Sequence, residues 1–366
     1  MVTDEAGGAG PTAVFDVSGH GFGHLGQVAP IVQALRARHP SCRIVVRTAL
    51  TAAVVRDFVG SRIELAPPPT EATMVMHGPT AVDPSASAEA HRRLCDNWDT
   101  HVEREAARLA ALAPAVLVSD VSYLSIAAAK RLGLPAIGLS SINWGDIYRT
   151  YCGAAPDAEA VLKTIGGAYR SADLFLQVQP HMPMTDLSNR RSIGPVARVG
   201  RDRRGEIDAA LGVPSHRKLV LVTLGGIPGG DPLILPPLEG IHWLAGAGVS
   251  GPADGTNDVR SLGLPFADVL ASADAVIGKV GYATFVEAAC NGTALISAPR
   301  DDWPESPFLL SWAAANARFA LTPSGFGEQA LRAALDAVFR EPAMPAARAS
   351  GIEDACDIIA DAGGLS

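Results

Sequence analysis

Along the chain, short uninterrupted apolar runs alternate with stretches in which apolar residues return at helical spacing. The runs "AVFDV", "RIVVRT", "IELA", "AVLVSD", "AIGLS" and "LFLQV" read as strands. Between them the pattern predicts helices from about Leu25 to Arg38, Ser87 to Leu112 and Leu124 to Arg131. Strands that are apolar throughout, each followed by a helix, imply parallel sheets covered on both faces. Near "SNRRSIGPVARVGRDRRGE" this rhythm lapses, and a second series opens at "KLVLVTLGGIPGG". It continues through "IHWLA", "DVRSLG", a helix over Ala267 to Ala273, "AVIGK", a helix from about Thr284 to Cys290 and "ALISAP".

The expected architecture is α/β: two doubly wound, Rossmann-like domains facing a cleft, where such folds bind ligands at the carboxyl ends of their strands. The expected boundaries are a disordered leader over residues 1–12, a first domain over 13–199 and a second over 200–366, with the last helix able to pack back on the first domain. The length of 366 residues suits two domains of roughly 150 to 200 residues. The six arginines from Arg190 to Arg204 read as a solvated linker.

A formal net charge of −8 argues against a surface built for nucleic-acid polymers. The five scattered cysteines form no C-x-x-C pair, so neither a disulfide framework nor a zinc site is implied. The first twelve residues lack a signal peptide's basic start and apolar core, and no apolar run reaches membrane-spanning length. A cytoplasmic protein with no transmembrane segment is expected, and a homodimer remains open.

The stretch "VSGHGFGHLGQ" places glycines and two histidines after the first strand and ahead of a helix. From Gly21 it spells G-x-G-x-x-G, the dinucleotide fingerprint, and the second strand ends at Arg47, which suits a 2′-phosphate. The run starts two residues late for that motif, and it does not account for the histidines. His24, with His20 beside it, is a candidate general base, and Asp120 at the end of "AVLVSD" is a candidate orienting acid on the same sheet rim. On residues alone, a helix-capping Asp120 and a packing His24 stay open.

In "ADAVIGKVGYATFVEAACNGTALISAPRDDWPES", Lys279 ends a strand, Gly281 permits a tight turn, and Thr284 starts a helix containing Glu287. Charge, a hydroxyl and a helix N-terminus suit a diphosphate. Glu287, a turn further in, suits two ribose hydroxyls. A plain β-turn-α unit with a capping Thr and a solvated Lys is the bland alternative.

This segment resembles the donor-binding motif of GT-B glycosyltransferases that use nucleotide sugars, written H-C-G-W-N-S-x-x-E and then G-x-P in plant secondary-metabolite transferases. The resemblance implies that Lys279 replaces the diphosphate-contacting His and Tyr282 replaces Trp. Gly281, Thr284 and Glu287 match the Gly, the phosphate-binding Ser and the ribose-binding Glu, and Gly292 and Pro299 keep the spacing. After Pro299 the chain departs from the pattern; Glu305 is taken as the sugar-reading acid, with Asp301 and Asp302 as alternatives.

"SGHGFGH" resembles the opening of the glycosyltransferase-like half of plant L-arabinokinases and is similar to the lipid II-forming N-acetylglucosaminyltransferase. Eleven residues separate His24 from Leu35, the family's spacing from its catalytic His to a core helix position. "VSDVSYLSIAAAKRLGLPAIGLS" resembles the segment whose Asp pairs with that His. No galactokinase-type region follows, so arabinokinase activity is not implied.

The resulting expectation is a metal-independent, inverting glycosyltransferase of hexosyl or N-acetylhexosaminyl type. Its donor is a nucleotide diphosphate sugar, a UDP-sugar by the commonest family choice, and its acceptor is a small molecule of specialised-metabolite or cell-envelope biosynthesis. No D-x-D occurs in the chain, no metal ligand is assigned, and no cofactor beyond the donor co-substrate is expected. Gly225 and Gly226 of "LGGIPGG" would help hold the departing diphosphate, and Leu264 would lie against the base. Gly21 and Gly23 would keep the turn close to the acceptor, with Trp144, Tyr148 and His77 lining its pocket and Met74, Met76 and His77 on a surface loop or lid. A nucleotide-sugar hydrolase, a 2-epimerase, a non-catalytic nucleotide-sugar sensor and an NADP-dependent oxidoreductase are the alternatives.

Overall fold

The computed structural model describes residues 10–78, 80–225, 232–323 and 325–365. Two compact units are found among them. The first gathers the described residues of Met1–His77, Ala81–Val196 and Ser350–Ser366, and the second those of Gly78–Thr80 and Ala197–Ala349.

The first unit runs β1 (Thr12–Val17), α1 (Phe22–Arg38), β2 (Arg43–Arg47), α2 (Ala52–Val59), β3 (Glu64–Ala66), β4 (Val75–His77), β5 (Ala81–Asp83), α3 (Pro84–Cys95) and α4 (Trp98–Ala110). It continues with β6 (Val116–Asp120), α5 (Tyr123–Arg131), β7 (Ala136–Ser140), α6 (Trp144–Cys152), α7 (Ala158–Ser171), β8 (Leu174–Val178) and β9 (Arg190–Ile193). The sheet order is β3-β2-β1-β6-β7-β8-β9, and every pairing in it is parallel. Val17 lies opposite Asp120 in the β1–β6 ladder. Strand order reverses between these two strands, so the loops leaving β1 and β6 flank the crevice where a parallel sheet can seat a ligand.

The second unit runs α8 (Arg204–Leu211), β10 (Lys218–Thr223), β11 (Leu233–Ile234), β12 (Ile241–Ala245), β13 (Val249–Ser250), β14 (Thr256–Asp258), α9 (Phe266–Ser272), β15 (Ala275–Lys279) and α10 (Tyr282–Cys290). Then follow β16 (Ala294–Ala298), α11 (Ser306–Asn316), β17 (Phe319–Leu321) and α12 (Glu328–Arg340). Its parallel sheet has the order β14-β12-β10-β15-β16-β17, with the reversal between β10 and β15. Val220, Val222, Trp243, Ile277, Ile296, Leu331 and Leu335 form one buried cluster under this sheet. The last helix, α13 (Gly351–Gly363), packs on α1 of the first unit.

Local chemistry sets several boundaries. Thr51, Asp83 and Asn143 cap α2, α3 and α6 through side-chain oxygens that accept from Val54, Ala86 and Asp146 backbone N–H groups.

Three expectations are corrected. The long helix over Ser87 to Leu112 is two helices, because Asn97 takes a left-handed conformation (φ 57°) that ends one and begins the next. "DVRSLG" is not a strand: only Asp258 belongs to β14, and Val259–Leu262 is a 3-10 turn.

The arginine-rich stretch is not a solvated linker. Arg190 and Arg191 lie in edge strand β9, Arg198 is bound to Glu287, Arg203 to Asp268, and Arg204 to Asp208 and Asp274. The "APPPTEATMVMHGPTAVDP" loop also contains more order than its composition suggests, since β4 and β5 form a hairpin and Met74 is buried.

Candidate functional site

In the first unit the turn Ser18–Gly21 carries the chain from β1 into α1. Gly21 is the helix N-cap at φ 94°, a conformation that favours glycine. Gly23 and Gly26 are already helical, so the G-x-G-x-x-G spacing does not build a dinucleotide turn. Arg47 is buried against Asp16 and Glu105, its guanidinium 2.7 Å from Glu105. No face of it is open to a 2′-phosphate, which corrects the nicotinamide alternative.

His24, in the first turn of α1, is 6 % exposed, and Asp120 is fully buried. Nδ1 of His24 lies 3.0 and 2.9 Å from the two carboxylate oxygens. Asp120 does not cap the next helix, because the N-cap of α5 is Ser122. The residue after the aspartate, Val121, is buried at φ 62°, a strained conformation for a β-branched side chain, and its carbonyl accepts from the Tyr169 hydroxyl at 2.7 Å. Gln27 ties α1 to the loop after β7: its amide donates to Ser141 Oγ (3.2 Å) and accepts from Ser141 N (2.9 Å). The imidazole is thus held by Asp120 at the end of β6, and the helix that carries it is tied to the loop after β7.

Trp144 and His20 complete the surroundings. The Trp144 ring lies 5.9 Å from His24 and 5.2 Å from His20, and the His20 and His24 rings are 6.4 Å apart. Trp144 is fully buried, and its indole N–H has no hydrogen-bond partner. A side chain added at Gly23 would meet nothing within 4 Å, which leaves room beside the first turn.

Tyr148 and His77 are placed differently from expectation. Tyr148 is fully buried and sits edge-on to His91 at 5.1 Å, so it packs the interior rather than walling a pocket. Burial pushes its phenol up to about 12. His77 is exposed on the hairpin, bonded to Asp83 at 2.9 Å.

Glu71 was not singled out in the sequence. It lies in the irregular chain between β3 and β4, and its Oε1 accepts from Gly19 N (3.0 Å) and Ser18 Oγ (3.2 Å). Its Oε2 is buried without a hydrogen-bond partner. Burial raises its carboxyl to about 7, against the lowering effect of those two bonds and of His24. Its one sequence signal is an acid inside "PPPTEATM".

In the second unit Lys279 ends β15 at the point where strand order reverses. Gly225, after β10, has φ 85°, and a Cβ there would lie 3.0 Å from Lys279 Cε. Gly226 lies outside the described residues. Burial, then the charge of Arg300, lowers the Lys279 ammonium to about 8. Arg300, also missed in the sequence, follows β16 and Pro299, is 8 % exposed, and stacks over the Trp303 ring at 4.3 Å. Two cations therefore sit near the N-terminus of α10.

Gly281, the N-cap of α10, is extended at φ −178°, so the turn does not require glycine there. What its missing side chain leaves is open space, with nothing within 4 Å. The helix begins at Tyr282, which is buried, and Thr284 lies in the first turn with its methyl packed toward Gly278. Leu264 is half-buried between the 3-10 turn and α9.

Glu287 departs from expectation. It is 1 % exposed, and Arg198 spans its carboxylate with bonds of 2.6 and 3.0 Å. A carboxylate held bidentately and sealed from solvent is not open to ribose hydroxyls in this structure. Glu305 is 5 % exposed and accepts from the Trp303 indole at 3.1 Å, whereas Asp301 and Asp302 are exposed.

Among the described residues, no helix is long and apolar enough to cross a membrane. No family model matches the chain. It is 25 % identical over 300 residues to an L-arabinokinase of Arabidopsis thaliana, covering 80 % of this chain and 28 % of that protein. It is 26 % identical over 209 residues to an uncharacterised glycosyltransferase of Methanopyrus kandleri, covering 52 % of this chain and 58 % of that one. The chain thus spans well under two thirds of the length of either relative.

Among solved structures it is similar to the kitacinnamycin glycosyltransferase (17 % identity, TM-score 0.57, 98 % and 97 % of the two chains). It is equally similar to SnogD from Streptomyces nogalater (18 %, 0.57, 96 % and 100 %). A UDP-glucosyltransferase from Polygonum tinctorium capable of glucosylating indoxyl aligns at 13 % identity with TM-score 0.57, covering 98 % and 99 %. These likenesses show the GT-B fold, with its two Rossmann-like domains.

Proposed function

We propose that this chain, built on the glycosyltransferase-like GT-B fold, transfers a sugar from a nucleotide diphosphate sugar to a hydroxyl or amine of a small acceptor. The observation that carries the reading is the buried His24–Asp120 pair at the switch point of the first sheet. With Nδ1 held by the carboxylate, the neutral imidazole keeps its proton on Nδ1 and its lone pair on Nε2. Nε2 then takes the acceptor proton as the new glycosidic bond forms, and Asp120 offsets the imidazolium charge. A base acting directly on the acceptor supports single displacement with inversion.

The leaving group is a nucleoside diphosphate, whose developing charge needs preorganised cations and dipoles. Lys279, Arg300 and the N-terminus of α10 are suited to that role, with Gly225 letting the backbone pass close to Lys279. With cationic side chains in that role, the reaction proceeds without a metal. UDP is the proposed nucleotide and a hexose or N-acetylhexosamine the proposed sugar. The acceptor belongs to specialised-metabolite or cell-envelope chemistry.

A thermal-shift panel of UDP-, dTDP-, GDP- and ADP-sugars with NADPH tests the reading, because a ligand that prefers the folded state raises the melting temperature. Stabilisation by one nucleotide sugar, weakened in Lys279→Ala, is expected. Stabilisation by NADPH alone overturns it. Release of free sugar without any acceptor turns the assignment to a hydrolase.

A further inference from the structure

The chain from Pro67 to Met74 has no regular structure, yet it delivers one carboxyl group to the turn that precedes the catalytic histidine. Glu71 Oε1 accepts from the backbone of Gly19 and the hydroxyl of Ser18, the two residues between β1 and His20. Its other oxygen is buried without a hydrogen-bond partner. Asp120 and Glu71 thus place two carboxyl groups around His24, one bonded to Nδ1 and the other acting through the field.

We propose that Glu71 is a positioning residue of the His24–Asp120 site, clamping the Ser18–Gly19 turn and supporting, by its negative charge, the protonated state of His24. The groups that face it are few. His24 favours its ionised form, Asp120 opposes it, and Ser18 and Gly19 donate to it. Tyr169, on α7, senses both carboxylates, but burial holds its phenol far above the usual range and therefore neutral. His20 stands on the clamped turn itself, 6.4 Å from the His24 ring.

Burial raises the Glu71 carboxyl to about 7, so its ionisation is sensitive to the charge carried by His24. When His24 takes a proton, its charge favours the ionised form of Glu71. For turnover the inference rests on His24 acting as the base; for protonation it rests on the turn geometry, the burial of Glu71 and its charge interaction with His24.

The test is a pH titration of the imidazole NMR resonances of the full chain, wild type against Glu71→Gln, with His24 assigned by its loss in His24→Asn. Glutamine keeps an oxygen for Ser18 and Gly19 but carries no charge. The His24 midpoint is expected to fall by about one pH unit in Glu71→Gln. An unmoved midpoint overturns the proposal.

A second measurement needs no change at Glu71: carboxyl carbon resonances of the wild type should show one glutamate titrating near neutrality, moving upward in His24→Asn. A Glu71 that titrates with ordinary surface glutamates overturns the proposal even where the Gln variant misfolds. Neither readout uses a donor or an acceptor, so its failure is distinct from failure of the transferase reading.

Discussion

Replacing Lys279 by Met tests whether the cation of the second unit is held at a cost to stability. Burial and the Arg300 charge bring its ammonium from the usual 10.5 to about 8. Below pH 8 the folded and unfolded chains both carry the proton, and the folded state bears the whole penalty. Between about 8 and 10.5 the unfolded chain keeps the proton and the folded chain loses it, so stability rises with pH. The difference of 10.5 − 8, or about 2.5 pH units at ~1.36 kcal/mol each, is about 3 kcal/mol. Because the side chain is half-buried, solvent screening reduces this to about 1–2 kcal/mol. Met has similar length and no charge.

Urea unfolding at about pH 7, 8.5 and 10 is therefore expected to find Lys279→Met more stable than wild type at neutrality, with the gap closing toward the highest pH. The same variant should lose its thermal shift with a nucleotide sugar. A variant less stable at neutral pH, or a gap constant with pH, would refute the reasoning that burial of this ammonium costs the folded state stability.

Asp120→Asn should leave nucleotide-sugar stabilisation intact while lowering turnover by roughly 10²–10⁴-fold, through loss of the group that sets the imidazole tautomer; a steady-state assay beside the thermal-shift panel separates the two. Arg198→Met leaves Glu287 buried without its partner and should cost about 3–5 kcal/mol in urea unfolding, most of it recovered in Arg198→Met with Glu287→Gln. Gly138→Ala would drive a methyl to 2.4 Å from the Phe175 ring, and calorimetry should show a loss of about 1–3 kcal/mol.

Strands β1, β6, β7, β10 and β15 were legible in the sequence because helices cover both faces of a parallel sheet, which makes each strand an unbroken apolar run. Strand β9 was not, because an exposed edge strand reading "RRSI" buries only its last residue. The α3–α4 break was hidden because apolar spacing continues across it, and only the backbone of Asn97 marks the change.

Among the candidate residues, His24, Asp120 and Lys279 could be named because each closes or follows a strand at the carboxyl edge of its own sheet. Glu71 and Arg300 sit in irregular chain, where no period assigns a direction, and Glu71 meets Gly19 from 52 residues away. Glu287 shows the limit of a motif match. The residue matches its position, but Arg198, 89 residues distant, determines what the carboxylate can touch.

The path of the chain also orders events at the ribosome. α13 closes over α1, with Gly351 N bonded to Pro195 O at 3.0 Å, Arg38 paired with Asp357, and Cys356 buried beneath the Ile31 carbonyl. These residues are translated only after Ala197–Ala349, an interval on the order of 10–30 seconds at roughly 5–20 residues per second. During that time the nascent first unit lacks its closing helix and shows the apolar flank of α1 to solvent or to chaperones, while the second unit is made almost as one continuous piece. Proteolysis within the last helix would therefore undo the part of the protein made first and spare the part made later.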